Sequence, residues 1–157
     1  MKIALASDHA GYAEKEHLKP LLDELGVEYE DLGAVSETSV DYPDYARVVG
    51  ERVARGEDDL GLLVCGSGTG MAIAANKVPG VRAAVAWNEE TARLAREHNN
   101  VNVLALGART TPVEELPKIV RAWLGAKFAE GRHAQRVNKI TEIERAEAAS
   151  LAKENQQ

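Results

Sequence analysis

The sequence predicts an α/β protein: a three-layer α/β/α sandwich on a doubly wound, five-stranded parallel sheet. Short apolar runs alternate with amphipathic stretches along most of the 157 residues, and that alternation specifies parallel strands covered on both faces. Crossovers between parallel strands are right-handed, which leaves helices on both sides of the sheet. The length suits one domain of roughly 100–150 residues, and a hydrophobic fraction of 45% supplies a core.

The elements follow in order. Residues 3–6 are a buried strand that stops at the polar pair Asp8-His9. Leu18, Leu21, Leu22 and Leu25 then recur at core-facing helical spacing, with Gly26 as the stop. Residues 27–32 are a second strand closed by Gly33, and 34–41 are polar and turn-like. Pro43 opens a helix through Tyr45, Val48, Val49 and Val53 to Gly56. Residues 60–64, the most strand-like run, lead into the glycine-rich loop 65–70. A short helix over 71–77, a strand over 81–86, a helix over 89–98 and a strand over 101–106 come next. Residues 112–128 read as helix, and a last helix runs from about His133 into the tail. The order is Rossmann-like. Residues 1–145 are expected to form the single domain, with 146–157 as the end of the last helix and then a frayed polar tail. Val137, Ile140 and Ile143 form a narrow stripe on that helix. Packing on its own sheet and docking on a second subunit both remain open.

Charge and composition exclude several classes. Lys+Arg 19 against Asp+Glu 25 gives a net charge of −6, which argues against nucleic acid or an anionic membrane as partner. No run approaches the roughly 20 apolar residues of a membrane span, and the first apolar run is too short for a signal sequence. Cys65 is the only cysteine, so no internal disulfide forms. A cytoplasmic location is the expectation.

Ligands of open α/β sheets bind outside the carboxyl ends of the strands. The residues there are Asp8-His9, the loop 65–70, Trp87-Asn88 and Gly107-Ala108-Arg109, and Asp41-Tyr42-Pro43 and His98-Asn99 are placed to join them. Gly66, Gly68 and Gly70 allow consecutive backbone N–H groups to point at one ligand, with a helix starting behind them. This is an anion hole. It is not a Walker loop, a dinucleotide fingerprint or a cysteine phosphatase loop, because Met71 stands where each needs another residue. A lone cysteine often serves as a small inert hydrophobe, but at a strand end beside N–H donors it becomes a candidate base or nucleophile. His9 and His98 are candidate acid/base or phosphate groups. Arg132 and Arg136, four apart, share a helix face and suit a phosphate clamp that Arg109 can join. The four His are scattered and there is one Cys, so no metal and no cofactor are expected. Together these residues suit proton transfer next to a carbonyl in a small phosphorylated sugar.

Six motifs, in this order, resemble the type B ribose-5-phosphate isomerases and their galactose-6-phosphate relatives. They are Ser7-Asp8-His9-Ala10-Gly11, Asp41-Tyr42-Pro43, Cys65-Gly66-Ser67-Gly68-Thr69-Gly70, Ala74-Ala75-Asn76-Lys77, Arg96-Glu97-His98-Asn99-Asn100 and Gly131-Arg132-His133. The resemblance covers the chain to about Ile143. It implies a metal-independent aldose–ketose isomerisation of ribose 5-phosphate through a cis-enediolate. By that resemblance Cys65 is the base and His98 the ring-opening acid, with Ser67 part of the catalytic loop. Asp8 and Tyr42 line the substrate site, and His9, Arg132 and Arg136 take the phosphate. Asn99 and Arg109 add contacts, and the backbone of Gly66, Ser67, Gly68, Thr69 and Gly70 holds the enediolate oxygen. The resemblance also implies a homodimer or tetramer with active sites at the subunit interface.

Two departures stand out. Ser67 replaces the more usual Thr and keeps the hydroxyl. Met71 occupies the position where one branch places a glutamate base, so Cys65 must serve. A six-carbon sugar phosphate such as allose or galactose 6-phosphate is the alternative substrate, and a non-catalytic sugar-phosphate-binding module is the alternative class.

Overall fold

The computed structural model describes residues 1–156. Five strands, β1 Lys2–Ser7, β2 Glu28–Asp31, β3 Leu60–Cys65, β4 Ala83–Val85 and β5 Val103–Gly107, form one sheet in the order β2-β1-β3-β5-β4. Every neighbouring pair is parallel. Six helices connect and follow them: α1 Tyr12–Glu24, α2 Tyr42–Ala54, α3 Thr69–Ala75, α4 Glu89–Asn99, α5 Leu116–Gly125 and α6 Arg132–Glu154. The doubly wound α/β architecture is thus the expected one.

Alternation along the strands sorts the core into two unequal layers. Ile3, Leu5, Leu62, Val64, Leu104 and Leu106 face one way and pack with Leu18, Leu22, Ile119, Val120 and Trp123 of α1 and α5. Ala4, Ala6, Leu63, Cys65, Val103 and Ala105 face the other way, toward Val49 of α2 and Met71, Ala72 and Ala75 of α3. The second face carries small residues on β1, so α2 and α3 come close to the sheet. At Gly61 a Cβ would stand 2.6 Å from the Val49 side chain. Cys65 therefore emerges on the face that α3 covers, a consequence of the two-residue period of a strand.

Several boundaries differ from the sequence expectation. The helix expected over 112–128 contracts to α5, because residues 112–115 form a turn with Glu115 N–H on the Pro112 carbonyl (2.9 Å) and Pro117 takes its place in the first helical turn. After Gly125 the chain is extended at Ala126. β4 is shorter than 81–86, its edge position leaving only one strand to pair with. Val48, expected in the core, is exposed, whereas Val49 and Val53 are buried. On α6, Val137 is buried but Ile140 and Ile143 are exposed, and the helix continues through the polar residues to Glu154. Among the described residues no helix is long and apolar enough to cross a membrane.

Candidate active site

The carboxyl edge of the sheet holds a pocket of about 370 Å3 lined by Asp8, Tyr42, Cys65, Gly66, Ser67, Gly70, Arg109 and Thr110. Each wall follows from a strand end. β1 stops at Ser7, and Asp8 turns back so that its Oδ1 accepts the Gly11 N–H (3.0 Å) while its own N–H donates to the Val64 carbonyl (3.2 Å). Those bonds hold the Asp8 carboxyl, 6% exposed, beside the end of β3. The loops after β3 and β5 are zipped by two backbone bonds of 2.8 Å, Ala108 N–H to the Cys65 carbonyl and Arg109 N–H to the Gly66 carbonyl. They carry the Arg109 guanidinium over Gly66, its Nη1 3.6 Å from where a Cβ there would stand.

The thiol itself is held by the backbone. Cys65 is buried at 4% exposure, and its Sγ accepts the Gly68 N–H at 3.1 Å. Gly68 has φ +79 and lies against the Leu106 backbone, where a side chain would be both strained and crowded. Only glycine delivers that N–H to the sulfur. Ser67 is exposed, and its Oγ accepts the Thr69 N–H (3.3 Å), so the hydroxyl shapes the loop while facing the pocket. Tyr42, the first residue of α2, closes the far side: its ring would meet a Cβ on Gly70 at 2.7 Å. Met71 is fully buried in the core and takes no part. His9 stands at the same edge, its Nδ1 3.2 Å from both the N–H and the carbonyl oxygen of Val40.

The remaining predicted residues lie elsewhere. α4 runs back antiparallel to the strands, so its C-terminal residues His98 and Asn99 come out at the amino edge of the sheet. The expectation that they reach the same strand ends as Cys65 is corrected within a single chain. The 11 residues of α4 span about 16 Å at 1.5 Å per residue, and no imidazole bridges that length. Asn99 instead borders a second cavity of about 270 Å3, with Asn76, Arg82 and Ile140. Asn100 caps α4 in the left-handed conformation and is gripped by two arginines: Arg96 donates to its Oδ1 (2.7 Å) and Arg82 to its carbonyl (3.0 Å). Arg132 and Arg136 are exposed on the first turns of α6, at this same edge, because His133 of that turn stacks on His98 with ring centroids 4.2 Å apart. Burial, and then the neighbouring His98, Arg132 and Arg136, hold His133 below the ordinary histidine range.

Two contributors are not apparent from the sequence motifs. Thr110 lines the pocket beside Arg109, and its position directly after the strand-end residues 107–109 is the signal that points to it. Lys15 is fully buried, with Nζ donating to Asp31 Oδ1 (2.7 Å) and to the Ala34 carbonyl (2.5 Å). It thereby holds the segment after β2 against the end of β1, one residue from Asp8. Among the described residues no three His, Cys, Asp or Glu side chains gather as a metal site.

A doubly wound sheet with a buried thiol, a carboxylate and a guanidinium at its carboxyl edge defines an α/β protein with a small-molecule pocket. The chain belongs to the ribose/galactose isomerase family, whose model matches residues 3–140. It is 49% identical over 143 residues to ribose-5-phosphate isomerase B of Escherichia coli, covering 91% of this chain and 96% of that one. The structure of Clostridium thermocellum ribose-5-phosphate isomerase B superposes with a TM-score of 0.91 at 50% identity, over 93% of this chain and 99% of that one. The Mycoplasma genitalium ribose-5-phosphate isomerase B, solved with bound ribulose 5-phosphate, gives 0.88 at 42% identity, over 92% and 96%.

Proposed function

We propose that this protein interconverts D-ribose 5-phosphate and D-ribulose 5-phosphate through a cis-enediolate, without a metal, in sites shared between two copies of the chain. The observation that carries the proposal is the Cys65 sulfur, buried at a strand end and held by the Gly68 N–H within a pocket lined by Asp8, Tyr42 and Arg109. Family membership and relatives named for this reaction support the substrate.

In this mechanism Cys65 takes the proton from C2 of the opened aldose and returns it to C1, while the hydroxyl proton of O2 passes to O1 across the cis-enediolate. Negative charge grows on the carbonyl oxygen as the proton leaves. Backbone N–H groups of the loop 66–70 other than those of Gly68 and Thr69, which are held by the Cys65 sulfur and the Ser67 hydroxyl, answer that charge, an oxyanion-hole role usually worth roughly 3–4 kcal/mol of barrier lowering per donor. Asp8 holds a sugar hydroxyl, and Arg109 lies over the loop as a further polar contact. His98 donates the proton that opens the furanose, with Asn99 beside it. His9, Arg132 and Arg136 take the phosphate, the two guanidinium groups by paired N–H donation.

The acid and two of the three phosphate ligands lie at the amino edge, the base and His9 at the carboxyl edge. One chain therefore cannot assemble this site on one sugar. A second copy that sets its α4 end and the start of α6 against the Cys65 pocket completes it, and a C2 dimer completes both sites at once. The exposed Ile140 and Ile143 of α6 suit such a contact.

The test is turnover of ribose 5-phosphate in the presence of EDTA, beside allose 6-phosphate and galactose 6-phosphate. A kcat/KM at least about 100-fold higher on the pentose, roughly 2.7 kcal/mol of discrimination, is the expected result. A preference for a six-carbon substrate, or no turnover of any, contradicts the assignment.

A further inference from the structure

His133 has no part in the chemistry assigned above, yet two unusual backbone conformations precede it. Glu130 and Gly131 both have φ +55, a region that costs a non-glycine residue appreciably. Just before them, Ala129 N–H donates to the Glu97 carbonyl (2.9 Å), which ties the approach of α6 to the last turn of α4. The helix then starts at once, and its second residue lays its ring on His98, centroids 4.2 Å apart and planes 7° from parallel.

We propose that His133 is a positioning residue for His98, a flat platform that fixes the plane of the neighbouring imidazole so that its proton is aimed at the sugar ring oxygen. A histidine near a helix end otherwise turns freely about two side-chain bonds, and a donor must stand within about 3.2 Å of its target in good alignment to act as an acid. The stack removes that freedom. His133 is held toward its neutral form by partial burial and by the neighbouring His98, Arg132 and Arg136. A neutral ring is the better platform, since it tolerates a charge on the ring above it. On the α4 side the nearby Glu97 carboxylate is engaged by Arg93, which leaves the stack without a carboxylate of its own there.

The proposal rests on His98 being the ring-opening acid, and sugar chemistry offers a way to isolate that step. Ribose 5-phosphate arrives mainly as a furanose and must be opened. Ribulose 5-phosphate has its C5 oxygen esterified, cannot close a furanose onto C2, and reaches the enediolate without opening. Turnover of ribose 5-phosphate therefore reports opening and proton transfer together, while exchange of the C1 proton of ribulose 5-phosphate with D2O reports proton transfer alone.

Wild type, His133→Ala and His133→Phe are compared in both assays. For His133→Ala the expectation is about a tenfold or larger fall in kcat on ribose 5-phosphate, KM within about threefold, and C1 exchange of ribulose 5-phosphate within about twofold of wild type. His133→Phe restores the flat ring and most of the lost kcat. If both reactions fall together, or KM alone rises, His133 is scaffold or phosphate ligand and the proposal fails. An unchanged His133→Ala also overturns it. Should the alanine variant not fold, the phenylalanine variant decides: full turnover of ribose 5-phosphate supports the platform, and a selective loss of it contradicts the proposal. Failure of the wild type itself on both substrates would overturn the functional assignment beneath, a result distinct from any of these.

Discussion

The two edges of the sheet carry complementary chemistry and are built in opposite ways. At the carboxyl edge Cys65 and Asp8 are nearly inaccessible and are placed by backbone donors, Gly68 N–H on the sulfur and Gly11 N–H on the carboxylate. At the amino edge His98 is half-buried, and Asn99, Arg132 and Arg136 are exposed on helix ends. The difference matches the tasks proposed for the two edges. A base must meet one C–H bond at fixed distance, so it is set in rigid backbone. An acid and a phosphate clamp must close around a charged ligand, so they ride on longer side chains. On the proposed function each edge alone is chemically incomplete, and a second molecule of the same chain would join the two.

The largest effect should come from breaking the rigid edge. Cys65→Ala is expected to lower kcat about 10³-fold or more, while ribose 5-phosphate still binds with nearly unchanged affinity. Equilibrium binding by calorimetry, beside steady-state kinetics, separates the two. Near-normal turnover would remove Cys65 as the base.

Next comes the support beneath that edge. Asp31→Asn leaves the fully buried Lys15 ammonium with only the Ala34 carbonyl and a longer, 3.8 Å contact to Glu16 and should cost about 3 kcal/mol of stability, the low end of the penalty for breaking a buried pair. Lys15→Met should cost less, because Asp31 is partly exposed and keeps Lys19. Acid unfolding carries the same signature. Burial pushes the Asp31 carboxyl up, but Lys15, Lys19 and the Gly33 N–H outweigh it and hold it below the ordinary range. Its contribution is therefore complete above the unfolded value of about 3.9 and is lost as pH falls through the lower folded value. Thermal melts of wild type against Asp31→Asn should converge as pH is lowered below about 4; curves that stay parallel would contradict the pairing.

The exposed edge should respond differently. Arg132→Ala and Arg136→Ala are each expected to raise KM about 30-fold, roughly 2 kcal/mol for a charge-assisted contact, with a smaller change in kcat. A fall in kcat at constant KM would place these arginines away from the phosphate. The smallest effect belongs to Ser67→Thr, which keeps the hydroxyl on the Thr69 N–H. Less than about a twofold change in kcat/KM is expected from the competing rates of the two variants.

Much of this was legible in the sequence, and the gaps have physical causes. The strands were plain because a parallel sheet buried on both faces writes near-continuous apolar runs, as in Leu60, Leu62, Leu63 and Val64. The thiol pocket was plain because a strand end, three alternating glycines and a helix start fall within a few residues. The place of His98 within one chain also has its sign in the sequence. Cys65 ends a strand and His98 ends a helix, and in a βαβ unit those ends face opposite ways. Lys15 lies on the buried side of α1 with Leu18 and Leu22, yet its carboxylate partner comes from β2, a tertiary pairing that helical periodicity does not encode. The stack of His133 on His98 is hidden for the same reason, since it is set by the turn at Glu130 and Gly131 and not by spacing.

The central claim is that base and acid meet only across two chains. It is tested by mixing Cys65→Ala and His98→Ala protomers after co-refolding and measuring turnover of ribose 5-phosphate. Each variant alone should be nearly inactive. Random pairing makes about half the dimers mixed, and each mixed dimer holds one intact site of two, so recovery of about one quarter of wild-type activity is predicted. A mixture no more active than its two components would show that each chain carries its own acid and base, and would contradict the account.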